Sequence, residues 1–449
     1  MVSKRTEELI KWDQEHIIHP HCPVGHNVGL VFERGHGIML QDTEGKEYID
    51  CSSQLVNLNL GHGRKEIINA VLEQMNKLEF AHVFAGVSNA ASIECSQKLA
   101  EITPEGLDHF HFTSGGSEST ETALRIARLY WHNQGKNKFK IISLFDAYHG
   151  PSGGVVEATS LAKGLFWRGF GPPAPGFVHM PSYYCYRCVF DLEYPGCDIR
   201  CAQYLAKVIE NEGADSVAAF MAEPVQGAAG QISPPPEYWP IIKKICDDYD
   251  VLLIGDEVMS GFTRTGKMFG MQHWNVKQDI MPMAKGITSG YIPFGAVAIN
   301  DRVYEGLKDR PFAHGHTYSG HPVGAAASVA TIDIYIREKI ADNAAKVGRH
   351  VLERLEAEFK SLPCVGNFTG LGLMIGVEIV TDKATKAVPD PAIMNQWRMQ
   401  VWERGLYFRW PAGTYGSRIF ICPPCITTVE EADRILDNLL PTVAAIKPS

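Results

Sequence analysis

Val251-Leu252-Leu253-Ile254-Gly255-Asp256 is a short apolar run that ends in a carboxylate, and its reading decides the architecture. A continuous apolar stretch of this length predicts a strand buried on both faces, with Asp256 at its carboxyl end. Similar runs at 109–112, 138–144, 217–222 and 295–299 alternate with helical patterns such as 240–248. The alternation predicts an α/β fold, a largely parallel sheet covered by helices. Ligands of such sheets bind outside the carboxyl ends of the strands, so Asp256 faces a site and not a random interior.

A buried acid needs a partner, and a protonated pyridine nitrogen suits it. Val258 lies on the same side of the chain as Asp256, where an apolar side chain supports the flat face of a ring. About thirty residues further on, Asp279-Ile280-Met281-Pro282-Met283-Ala284-Lys285-Gly286 delivers a lysine from mostly apolar surroundings. Desolvation favours the neutral amine, and only the neutral amine attacks an aldehyde. Alone, the acid reads as a turn cap and the lysine as a surface cation. Together, Asp256 and Lys285 suit opposite ends of pyridoxal 5'-phosphate.

A phosphate site is offered by Thr113-Ser114-Gly115-Gly116-Ser117-Glu118, which leads from the strand at 109–112 into a helical pattern carrying Ala123, Ile126, Ala127 and Tyr130. Gly115 and Gly116 permit a tight turn, and Ser117 is read as the N-cap. Free N–H groups at a helix start bind phosphate. Glu118 and Glu121 suit the helix dipole but would repel a phosphate unless they turn away.

These segments, taken in order, resemble the class III aminotransferases of pyridoxal-phosphate fold type I. The likeness rests on 42–50 (DTEGKEYID), Asn59-Leu60-Gly61-His62-Gly63, 114–121, Tyr148-His149-Gly150, Glu223-Pro224-Val225-Gln226-Gly227, Asp256-Glu257-Val258, Arg264-Thr265-Gly266, Ala284-Lys285-Gly286, 314–322 (HGHTYSGHP) and Pro423-Pro424. Within the class, 227–239 and the HTYSGHP stretch are most similar to the ω-amino acid and amine:pyruvate transaminases. The resemblance implies a mostly parallel large-domain sheet (61–310), a smaller α+β domain (311–449), and an N-terminal segment (1–60) packing with the small domain. It implies that Lys285 holds the cofactor and moves the proton, and that Asp256 keeps the pyridine nitrogen protonated. Tyr148 would stack on the ring, Gly116 and Ser117 would bind the phosphate, and Thr317 would reach the phosphate of a neighbouring subunit in a homodimer. Arg409 resembles the mobile arginine that receives a substrate carboxylate, a pairing that the guanidinium fork suits. Trp410-Pro411-Ala412-Gly413 departs from the subgroup's pattern, which makes Arg418 a rival. Glu223 corresponds to an acid that pairs with an arginine in some relatives.

The expected reaction moves an amino group from an amine or ω-amino acid to a keto acid. Racemases, aminomutases and decarboxylating enzymes of the same fold share Lys285 and Asp256 and stand as the alternative. A silent scaffold is disfavoured by the intact pair. A length of 449 residues favours two domains, and a formal charge of −9 disfavours nucleic acid. Residues 1–20 have no apolar signal core and no later run spans a bilayer, so the expected place is the cytoplasm, with all eleven cysteines reduced. Cys185, Cys188, Cys197 and Cys201 have spacings that could close a zinc site, but these are not those of a standard finger. The favoured reading is therefore no metal.

Overall fold

The computed structural model describes residues 2–161, 170–409 and 417–446. Helix α1 (Lys4–His16) precedes a meander of β1 (Phe32–His36), β2 (Met39–Asp42) and β3 (Glu47–Asp50). The central sheet contains β4 (His109–Thr113), β5 (Lys140–Leu144), β6 (Phe177–Met180), β7 (Val217–Ala222), β8 (Leu252–Gly255), β9 (Ile280–Met283) and β10 (Gly295–Ile299). Its spatial order is β4-β10-β9-β8-β7-β5-β6. Every residue of β7 through β10 is buried, which is why these segments show no polar alternation. Helices α2 (Gly116–Asn133), α3 (Arg200–Glu212) and α4 (Tyr238–Asp248) lie among the sheet's connections.

Strands β5 to β9 pair in parallel, as the alternation predicts, but β10 runs antiparallel to both of its neighbours, β9 and β4. The cause is the β9–β10 connection, 284–294, which holds one 3-10 turn and no crossover helix. That connection carries Lys285.

Helix α2 buries Ala123, Ile126, Ala127 and Tyr130. Its N-cap is Gly115, however, and Ser117 lies inside the first turn, which corrects the capping expectation. The chain is still extended at Gly115 and becomes helical at Gly116, so the first intrahelical bond runs from Ser119 N–H to the Gly115 carbonyl at 3.0 Å. The amides of Gly116 and Ser117 are left without a partner within the helix.

A second sheet near the C-terminus contains β11 (Val365–Leu371) and β12 (Met374–Ile379), joined after β13 (Leu406–Tyr407) by β14 (Arg418–Ile421). Strand β13 instead extends the N-terminal meander, pairing in parallel with β3. Glu378 on β12 faces Arg418 on β14 and is fully buried. Its carboxylate accepts from Arg418 Nη1 at 3.0 Å and from Arg187 Nε at 2.6 Å. Arg418 also donates to Tyr184 Oη, and at 3.2 Å to both Thr369 Oγ1 and the Gly376 carbonyl. The segment that holds Tyr184 and Arg187 is thereby fastened to the C-terminal sheet.

Removing one member of a buried ion pair leaves the other uncompensated, which typically costs about 3–5 kcal/mol. Glu378→Ala is expected to lower the unfolding free energy by about that much in chemical denaturation. A loss below about 1 kcal/mol, the value of a surface pair, would contradict this reading of the network.

Candidate active site

The carboxyl edge of the central sheet opens into a cavity of about 330 Å³. Asp256 follows β8 directly and is 3% exposed. Its Oδ1 accepts from Val258 N–H at 3.0 Å, and its Oδ2 stands 2.6 Å from His149 Nδ1. His149 is the partner that the strand-end acid required, and the sequence gives no local sign of the pairing because 107 positions separate the two. Its Nε2 is buried with no hydrogen-bond partner among the described residues.

Lys285 opens the turn after β9 with a positive φ of 48°, a conformation uncommon for a side-chain-bearing residue and one that clusters at functional sites. Burial pulls its amine down to about 8, against the opposing pull of Asp256 and Glu223. Glu223 is itself pushed up to about 7, mainly by burial, with His149 countering and Asp256 adding to the shift. The carboxylate of Glu223 accepts from Tyr148 N–H at 3.1 Å and from Gly227 N–H at 2.8 Å. Among the described residues it meets no arginine, so its place here is to hold Tyr148 and the 223–227 turn.

At the other end of the cavity lies the start of α2. A Cβ on Gly116 would stand 2.8 Å from Val258 Cγ1, so only glycine lets the backbone approach this closely. Gly150, at φ +128°, leaves room for Ser117 Oγ, which would lie 2.5 Å from a Cβ there. Thr120 Oγ1 donates to the His149 carbonyl at 2.6 Å, tying the helix start to the Asp256 partner. Glu118 folds back to accept from Ser114 N–H at 2.7 Å, and neither it nor Glu121 lines the cavity. The repulsion that these acids threatened is avoided.

Gly116, Ser117, Tyr148, Asp256, Val258 and Lys285 therefore surround one space, joined by Asn57 and Phe294, which no motif announced. Two expected residues stand apart. Thr317 is exposed in a turn and does not line its own chain's cavity. Arg409 also lies off the lining; its guanidinium sits 4.7 Å over the Phe420 ring, and its backbone N–H donates to Ser52 Oγ at 3.1 Å. It is nevertheless close enough to act electrostatically on Tyr148 and Lys285, and among the described residues no carboxylate pairs with it. The divergent stretch 410–413 lies outside the described residues. Arg418 is removed as the rival carboxylate site because Glu378 already occupies its guanidinium.

Pyridoxal 5'-phosphate fits this arrangement: an easily neutralised amine, a buried carboxylate and a glycine-lined helix start converge on one half-open cavity of suitable size. The family model for class III aminotransferases matches residues 22–443. Putrescine–pyruvate aminotransferase of Pseudomonas aeruginosa is 36% identical over 409 residues, 90% of this chain and 88% of that protein. Taurine–pyruvate aminotransferase of Bilophila wadsworthia is 33% identical over 445 residues, 96% of each. The crystal structure of an (S)-enantioselective ω-transaminase from Thermomicrobium roseum superposes with a TM-score of 0.93 at 41% identity, covering 98% of both chains. All three relatives transfer amino groups, which favours that reaction over racemisation, mutase chemistry or decarboxylation. On the family match over 22–443 and the likeness to these relatives over nearly the whole chain, the chain belongs to the class III aminotransferases of fold type I, and its cofactor is pyridoxal 5'-phosphate.

Proposed function

We propose that this aminotransferase takes its amino group from an amine or ω-amino acid and passes it to a keto acid, with pyruvate the favoured acceptor. Relatives that pair putrescine or taurine with pyruvate support the substrate class. The observation that carries the acceptor half is Arg409, a guanidinium beside the cavity with no carboxylate partner among the described residues. A planar cation that meets no carboxylate among the described residues suits a keto-acid carboxylate.

The bound cofactor supplies an electron sink for the pair left when a donor C–H bond breaks. Lys285 Nζ, whose neutral form desolvation brings within reach, would take that proton from the donor carbon and deliver it to the acceptor side. The Asp256 carboxylate, oriented by His149 and Val258 N–H, holds a proton on the pyridine nitrogen. Gly116 and Ser117 amides would hold the phosphate, and Tyr148 and Val258 would flank the ring. Thr317, exposed on its own chain, is assigned to a second copy's phosphate, which makes the working unit a homodimer. The proposed organisation is an N-terminal segment at 1–60, a large domain at 61–310 and a small one at 311–449. The proposed location is the cytoplasm; among the described residues no helix is long and apolar enough to cross a membrane.

A lowered amine pKa means that the neutral form of Lys285 accumulates from about pH 8 upward, whereas a surface lysine requires about pH 10.4. Cofactor-free protein, labelled with a reagent selective for neutral amines and mapped by peptide, is expected to show a Lys285 midpoint near 8. A midpoint at the surface-lysine value would contradict the desolvated site.

Arg409→Ala is expected to slow the half-reaction with pyruvate by roughly ten- to a hundredfold, the equivalent of about 1.5–3 kcal/mol, and to spare the half-reaction with a simple amine. Stopped-flow measurement of each half-reaction separates the two. Equal losses would make Arg409 structural and leave the carboxylate site unassigned.

A further inference from the structure

Cys185, Cys188, Cys197 and Cys201 take no part in the reaction, yet the fold gathers them. Cys185 opens a 3-10 turn (Cys185–Arg187) that Cys188 closes. Cys197 precedes two residues with left-handed φ, Asp198 and Ile199, and Cys201 then falls in the first turn of α3. The four side chains line a single small cavity of about 20 Å³, walled by Tyr184, Phe190 and Tyr194. Such a space admits an ion or a water but no organic molecule. None of the four lines the cofactor cavity.

All four thiols are free of disulfides. Cys201 is pushed up to about 12 by burial and by the other three, and Cys185 is raised by burial, Cys197 and Cys188. Thiolates packed this closely repel one another, and a divalent cation at their centre turns that repulsion into coordination. The Ala202 amide facing the Cys201 sulfur favours negative charge there, against the effect of burial. We infer that Cys185, Cys188, Cys197 and Cys201 form a structural site for a thiophilic divalent cation, with Zn²⁺ the ion that fits. The gathered side chains thus reverse the metal-free reading that the spacing alone favours.

Tetrahedral Zn–S bonds of about 2.3 Å place the sulfurs about 3.8 Å apart. Among the described residues no three of these thiols stand within 4.8 Å of one another, so the site closes by side-chain rotation. One rotamer step swings a cysteine sulfur by about 3 Å, which is sufficient. Four S–H bonds give way to four S–Zn bonds and four protons leave to solvent, with no oxidant or reductant consumed. Because Tyr184 and Arg187 join the Glu378–Arg418 network, the ion would brace the 183–201 segment against the C-terminal sheet.

The test uses the full-length holoenzyme, incubated with ZnCl₂, desalted and analysed for metal. About one zinc per chain is expected, with a raised Tm and with the four thiols shielded from alkylation in peptide maps. The Cys185→Ser/Cys201→Ser double variant should lose both the metal and the shielding; should it fail to fold, alkylation of the unaltered protein with and without Zn²⁺ decides alone. Alkylation of the four thiols unchanged by Zn²⁺, or a disulfide between any two of them, overturns the inference. Zinc retained equally by the double variant also overturns it and assigns the metal elsewhere, with the group of exposed Asp108 and Asp301 and half-buried His109 the first place to look.

Discussion

The Asp256 carboxylate, held 2.6 Å from His149 at the carboxyl edge of the central sheet, is the contact on which the rest of the site depends. A buried acid is costly unless its oxygens are satisfied, so its position dictates what must surround it. The loop after β5 brings His149, and the same loop carries Tyr148 into the cavity. Thr120 then ties the helix start to the His149 carbonyl, and Ser119 Oγ ties it to the Met283 carbonyl, just before Lys285. The acid, the start of α2 and the end of β9 are thus linked by hydrogen bonds, with Lys285 two residues beyond Met283.

Close backbone approach completes that unit. Gly116 touches Val258 and Gly150 makes room for Ser117, so any side chain at either glycine would push the helix start from the acid's side of the cavity. The reversed strand β10 has a functional reason as well. A short return after β9, with Lys285 at positive φ, sets the amine on the cavity wall, whereas a crossover helix would carry the chain away.

What the sequence shows and what it conceals divide along a physical line. Strands buried on both faces were legible as apolar runs; Asp256 and Lys285 stood out as candidates because their local contexts suit opposite ends of one cofactor, and 113–118 as a helix start, and the fold brings all three to one cavity. Pairings across long separations were not. His149 to Asp256, Glu223 to the Tyr148 amide, and Glu378 to Arg418 depend on how loops meet in space. The direction of β10 and the true N-cap at Gly115 turn on connection length and backbone angles, which residue types only loosely constrain. Thr317 and Arg409 illustrate a third limit, since each was identified by likeness and each lies off the lining of its own chain's cavity.

Under the proposed function the Asp256 carboxylate, positioned by His149, keeps a proton on the cofactor's ring nitrogen and so sustains C–H cleavage. Single-turnover kinetics of the amine half-reaction in Asp256→Asn, with bound cofactor quantified in the same sample, tests it most directly. Cofactor is expected to be retained and the step to slow by at least about a hundredfold, the scale of losing one preorganised electrostatic group. A rate equal to that of the unaltered enzyme at full cofactor content would contradict it.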